Sequence, residues 1–134
     1  MNEFSRTFEI NNRILDKRFV VIASNEELKG LSERFELPKI TNLSLEYFIT
    51  GHSSIIGAYM LVCKIKSHVV KFQIEDTNES MDINEQFDVV LLTEEMARNN
   101  HEELKDFDIE IFGEDRKVDV GEIAAQYLSL CIFM

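Results

Sequence analysis

The sequence predicts an α+β domain: an antiparallel β-meander, able to curl toward a barrel, with one helix near the start of the chain and another at its end. Three observations carry this. Four strand-like runs follow one another between residues 42 and 93, joined by short turn segments, and short connections favour antiparallel neighbours. Ser24 with Glu27 three places on forms a capping-box pattern ahead of an apolar helical face. Asp119 and Glu122 repeat that logic ahead of the apolar run that ends the chain.

Residues 4–10, FSRTFEI, space their apolar side chains as a short edge strand does. RFVVIA (18–23) is β-branched and aromatic, and reads as a strand. In the helix that follows, Leu28, Leu31 and Phe35 fall on one face, and Pro38 is the expected stop. NLSLEYFIT (42–50) alternates, with Leu43, Leu45, Tyr47 and Ile49 on one side. After the turn residues GHSS (51–54), IIGAYMLVCKIK (55–66) is apolar on both faces until its lysines, which predicts a central strand. HVVKFQIE (68–75) alternates again and places Val70, Phe72 and Ile74 inward. DTNES (76–80) is turn-like, and MDINEQFDVVLLT (81–93) is the fourth run.

EEMARNNHEELKD (94–106) is polar all round and predicts either a loosely packed helix or a loop. FDIEIF (107–112) reads as a strand and GED (113–115) as a turn. The final helix begins at Asp119, where both carboxylates meet the positive end of the helix dipole. Ile123, Ala124, Tyr127, Cys131 and Met134 form its apolar stripe, flanked by Leu128 and Leu130, with Phe133 near the polar side. Most of that helix is expected to pack on the core. The closing CIFM either tucks in with it or is offered to a partner.

The 134 residues suit one domain, 1–134, and an apolar content of 45% is enough for a core at this size. No apolar run approaches the roughly 20 residues of a membrane helix, and the polar start lacks the apolar centre of a secretory signal. A cytoplasmic protein is expected. Cys63 and Cys131 fall in a strand and a helix, far apart in sequence, and read as small buried hydrophobes.

The net charge of −11 is unevenly spread. Residues 1–74 hold 10 Lys+Arg against 8 Asp+Glu, a charge of +2, whereas residues 75–134 hold 4 against 17, a charge of −13. Phosphate is repelled by such a half, and a basic protein is attracted to it. Solubility alone also accounts for an acidic face.

Patterns that carry chemistry are scarce. His52, His68 and His101 share no ligand spacing, the five glycines make no phosphate loop, and no nucleophile elbow is present. His52 and His101 read as solvated. The carboxylates of 94–106 lack the glycine and alternating ligands of a calcium loop. No enzyme, metal or cofactor is expected. Lys64, Lys66 and Lys71 cluster around one apparent hairpin near Tyr59 and Phe72. They read first as a solvated edge that discourages sheet pairing, and second as an RNA contact.

Two segments resemble the YceD family of large-subunit ribosomal RNA accumulation proteins. Ala23, Glu26, Glu27, Leu31, Arg34, Leu37 and Pro38 fit the family's acidic helix and the strand after it. Asp119, Gly121, Glu122, Leu128 and Leu130 fit its closing helix, with Gln126 where an acid is usual. The central strands, ending at Ile83, Glu85 and Phe87, match in order and spacing, so the resemblance spans about residues 18–130. Gln73 stands where the family carries a cysteine, so no role of that cysteine carries over. The family's tail beyond the last helix has no counterpart after CIFM. The resemblance implies a non-enzymatic accessory factor for large-subunit ribosomal RNA accumulation and ribosome biogenesis. It would act by binding a ribosomal protein or a large-subunit precursor. The other reading is an acidic module for a basic partner unrelated to ribosomes. Lys64, Lys66, Lys71, Asp119, Glu122 and Gln126 are the candidate contacts.

Overall fold

The computed structural model describes residues 3–74 and 77–133, and the side chains of all of these except 72–74, 77 and 78. The chain runs β1 (Thr7–Glu9), β2 (Phe19–Ile22), α1 (Asn25–Arg34), β3 (Lys39–Gly51), β4 (Tyr59–Ile74), β5 (Thr77–Leu92), α2 (Glu94–Asn99), α3 (His101–Leu104), β6 (Ile109–Ile111), β7 (Lys117–Asp119) and α4 (Val120–Phe133). Strands β2 to β6 form one sheet in sequence order. β1 and β7 form a separate antiparallel pair. The architecture is the expected α+β one, and the sheet is open: β2 and β6 are two free edges, so it does not close into a barrel.

Two of the four expected strands are one. Residues 59–74 run as the single strand β4, paired with β3 on one side and β5 on the other. Lys64, Lys66 and Lys71 therefore lie along one strand and not around a hairpin. Ser67, which fell between the two expected strands, is held in the sheet, its Oγ donating to the Asn42 carbonyl at 2.6 Å, and beside it His68 Nδ1 meets Asp82 at 2.6 Å. Residues 55–58, assigned from sequence to the start of this strand, belong instead to the β3–β4 connection. There Gly57 adopts φ 88, and a Cβ would meet Met96 Cε at 2.7 Å.

Pleat alternation sorts the sheet into two faces. Leu43, Leu45, Tyr47 and Ile49 of β3, Leu61, Cys63, Ile65 and Val69 of β4, and Ile83, Phe87 and Val89 of β5 are buried on the inner face. The inward residue near the end of β4 is Val69, not Val70, because the phase is set by continuity from Leu61. The register then shifts between Val70 and Phe72. The inward placement expected for Phe72 and Ile74 lies outside the described side chains, and so does that of Met134.

α1 begins as the sequence predicts. Ser24 Oγ accepts from the Glu27 N–H at 3.2 Å, and the Glu27 carboxylate accepts from the Ser24 N–H at 2.9 Å. It stops before Pro38. Glu36 takes the left-handed conformation at φ 56, and the Leu37 N–H reaches back to the Ser32 carbonyl at 2.9 Å, a helix-closing motif that usually uses glycine. The buried Ser32 hydroxyl donates to the Leu28 carbonyl and accepts from the Ile40 N–H, tying the helix to the start of β3.

α4 covers the inner face. Its buried residues are Val120, Gly121, Ala124, Ala125, Leu128 and Ile132, so the core-facing stripe is rotated from the expected one. Ile123, Tyr127 and Cys131 flank it. The helix is apolar nearly all round, so periodicity left its rotation open, and the contact at Gly121 selects it: a Cβ there would lie 2.3 Å from the Phe4 carbonyl oxygen. The final residues divide, with Ile132 buried and Phe133 exposed.

Residues 94–104 form two short helices on the outer face. Thr93 caps α2 by accepting from the Met96 N–H at 3.3 Å. Leu104, with Met96 and Ala97, packs on Val90, Leu92, Ile55 and Ala58. This small second core makes α2 and α3 the crossover from β5 to β6, and β6 consequently joins the sheet parallel to β5. The expected meander holds for β2 to β5 and ends there.

Candidate functional site

The six residues proposed from sequence separate into three groups. Lys64 and Lys66 are exposed side by side on the outer face, in a shallow groove with Val20, Ser44 and Glu46. Lys71 lies beyond them at the register shift. About five residues of strand, some 16 Å, separate it from Lys66. Glu46 of β3 is directly opposite Lys64, so this surface carries both signs.

Asp119 and Glu122 are engaged within the chain. Asp119 accepts from Ser5 Oγ at 2.6 Å, from the Arg6 N–H at 2.8 Å and from the Glu122 N–H at 3.1 Å. Burial works to raise its carboxyl, but these hydrogen bonds outweigh it and hold it below the usual range. Glu122 binds Arg34 through both oxygens, at 2.6 and 3.0 Å, and is lowered first by those bonds. The same design recurs at Glu27, which takes both nitrogens of Arg6 at 2.6 and 2.7 Å and is held down to about 2. These three carboxylates clasp the N-terminal segment and α1 to α4. His52 is likewise structural: its Nδ1 accepts from the Ser54 and Ile55 N–H groups at 3.0 Å each.

Gln126 is exposed, and its Nε2 donates to Glu122 Oε1 at 3.4 Å. It lines an open groove of about 190 Å³ where α4 passes over β5 and β6. The floor is apolar: Phe87, Val89, Ile123, Tyr127 and Leu130. Phe87 and Tyr127 stack at 4.0 Å between ring centres. Asp108 and Glu110 form the β6 wall, and no Lys or Arg is among the lining residues. The Glu110 carboxyl is raised by desolvation and then by the nearby Asp119, the mark of an acid without a counter-ion. Tyr127 is raised by burial and then by Cys131, Glu85 and Asp108, which adds Glu85 to the carboxylates near the groove. Sequence reading marked Gln126 but not the groove. Its walls come from β6 and α4, and their juxtaposition depends on the parallel crossover.

Among the described residues no group of three His, Cys, Asp or Glu side chains converges as metal ligands. Cys63 and Cys131 are unbridged, and burial pushes the Cys63 thiol up to about 12, far from the reactive range. No helix among the described residues is long and apolar enough to cross a membrane. No family model, no curated protein and no solved structure matches this chain.

Proposed function

We propose that this chain is a non-enzymatic protein-binding domain whose acidic C-terminal half recognises a basic partner. We further propose that the partner is a ribosomal protein or large-subunit precursor, in support of large-subunit ribosomal RNA accumulation in the cytoplasm. One observation carries the binding mode: the charge of −13 on residues 75–134, which build β5, α2, α3, β6, β7 and α4. β5 and β6 make one edge of the sheet, with α2 and α3 on its outer face and α4 over its inner face. A field of one sign steers an oppositely charged partner and turns polyanions away. The ribosomal setting is supported by the resemblance of residues 18–130 to the YceD family.

Sedimentation of a lysate through a sucrose gradient tests it. The protein is expected to travel with large-subunit precursors at low salt and to be released as salt rises, because surface charges are screened beyond about 8 Å at physiological ionic strength. Retention that ignores salt defeats the electrostatic mode. Absence from every ribosomal fraction at all salt concentrations leaves only the module for a non-ribosomal basic partner. The RNA reading makes its own demand: changing Lys64, Lys66 and Lys71 together to Glu must abolish retention on RNA.

A further inference from the structure

We infer that the β6 edge is a strand-addition site for an extended partner segment in which β-branched apolar residues alternate with Lys or Arg. The inference rests on the basic-partner reading above and specifies where and how that partner is held.

The backbone argument comes first. β6 spends only alternate residues on the sheet: the Asp108 carbonyl accepts from Val90 N–H at 2.9 Å, and the Phe112 N–H donates to the Leu92 carbonyl at 3.0 Å. In a parallel pair, residues of the opposite parity direct their N–H and C=O groups away from the neighbour. Those residues are Ile109 and Ile111, and among the described residues neither has a hydrogen-bond partner on that side. An unpaired N–H and C=O row of this kind is a template for another strand.

The side chains define the occupant. Ile109 pairs with Val90 and Ile111 with Leu92, so both isoleucines lie on the outer face of the sheet, where they are 40% and 49% exposed. Phe107, 53% exposed, has the same parity. Asp108 and Glu110 lie on the opposite parity, in the wall of the α4 groove. A strand laid beside β6 alternates in step with it. Its apolar residues meet Ile109 and Ile111. Its other residues enter the groove, where the stems of Lys or Arg cover Ile123, Tyr127 and Leu130 while their charged heads reach Asp108, Glu110 and Glu85. A second copy of this chain fits poorly, since its own β6 would bring Glu110 and Asp108 against the same carboxylates.

The probe is a synthetic peptide, Lys-Val-Lys-Ile-Lys-Val-Lys, compared with a block-ordered peptide of identical composition and with the alternating peptide N-methylated on the amides that face the edge. The full chain is labelled with 15N and titrated. The alternating peptide is expected to protect the Ile109 and Ile111 amides from exchange. It should also bind at least about tenfold more tightly than either control, and lose about tenfold on Ile111→Pro or Glu110→Lys. Ile111→Pro removes an outward N–H and no bond to β5. The N-methylated peptide delivers the same test without altering the protein. Equal binding of the alternating and block-ordered peptides, at any salt-sensitive affinity, overturns strand addition and leaves the acidic-surface reading standing. No salt-sensitive binding of either peptide removes both. A dimer that sedimentation equilibrium detects and Ile111→Pro abolishes assigns the edge to a second copy, and shifts at Ile109 and Ile111 induced by polyuridine assign it to RNA. Either result overturns the proposal.

Discussion

The two free edges of the sheet face solvent on different terms. β2 is antiparallel to β3 and presents Val20 and Ile22 outward. Its surroundings are mixed in sign. Arg18 approaches Glu46 at 3.6 Å and lies over the Phe48 ring at 5.4 Å, and Lys64 and Lys66 are close by. Those lysines belong to the central strand β4 and so do not guard an edge as expected, but mixed-sign charge beside β2 still discourages unwanted pairing. β6 is parallel and short, and the apolar groove at its side is lined by Asp108 and Glu110 with no Lys or Arg. Exposed apolar side chains occur at both edges, so they do not distinguish them. What distinguishes them is whether the surrounding charge names a partner.

The largest effect should come from the aromatic anchors beneath the two edges. Phe87 is buried under α4 and stacks on Tyr127, so Phe87→Ala is expected to cost about 3–5 kcal/mol in a denaturant titration. Phe19, partly buried and stacked on Tyr47 at 5.3 Å, supports the β2 edge, and Phe19→Ala should cost about half as much, roughly 2 kcal/mol. Equal costs would mean that the β2 side is as deeply anchored as the β6 side.

Acid should act on the two sides with opposite sign. Glu27, at about 2 in the folded chain, stabilises fully above its unfolded value of 4.5, and that contribution is lost as pH falls toward 2. Asp119 and Glu122 are also lowered and follow the same direction. The clasp of the N-terminal segment therefore weakens below about pH 4.5, with about 1 kcal/mol at stake for the partly solvated Glu27 pair. Glu110 is raised, so the folded chain binds its proton more readily than the unfolded one, and mild acid relieves the β6 wall. Thermal unfolding measured across pH checks the first. For the second, a basic peptide should lose affinity in mild acid before stability begins to fall.

A smaller and favourable effect is expected at Glu36. It is exposed in the left-handed conformation that closes α1, and glycine removes the Cβ conflict there. Glu36→Gly should stabilise by about 0.5–1 kcal/mol in denaturant, with no effect at β6. Smallest of all is the double change Val20→Lys with Ile22→Lys. Both side chains are more than half exposed, so stability should move by less than about 0.5 kcal/mol and peptide binding at β6 should be unchanged. A loss of binding would show that the two edges communicate.

Local signals in the sequence were reliable wherever one residue type does one local job. The capping box at Ser24 and Glu27 and the cap at Asp119 were both legible, because their hydrogen bonds close within three residues. The inner-face alternation of β3 was legible for the same kind of reason: period two admits only two phases, and one of them is apolar. Polar residues misled where their partners are distant in sequence. Ser67 fell between two expected strands, yet the Asn42 carbonyl of the neighbouring strand satisfies its hydroxyl and the strand runs through. Gly57 and Met96 give no sign in the sequence that they meet, yet that contact helps seat α2 on the outer face.

The sequence by itself determined the class of the fold, the starts of α1 and α4, the central position of β4 and the acidic character of the second half. Each of these follows from local hydrogen bonding, from periodicity or from composition. Tertiary structure alone decided that the sheet stays open, which side of α4 faces the core, and that β6 enters parallel with its outward backbone unpaired. Those outcomes depend on steric contacts such as Gly121 against Phe4 and on the small core beneath α3, formed by residues that are far apart in sequence. The same packing brings the carboxylates of β6 against the apolar side of α4 and makes one edge of an acidic protein a groove with a definite preference.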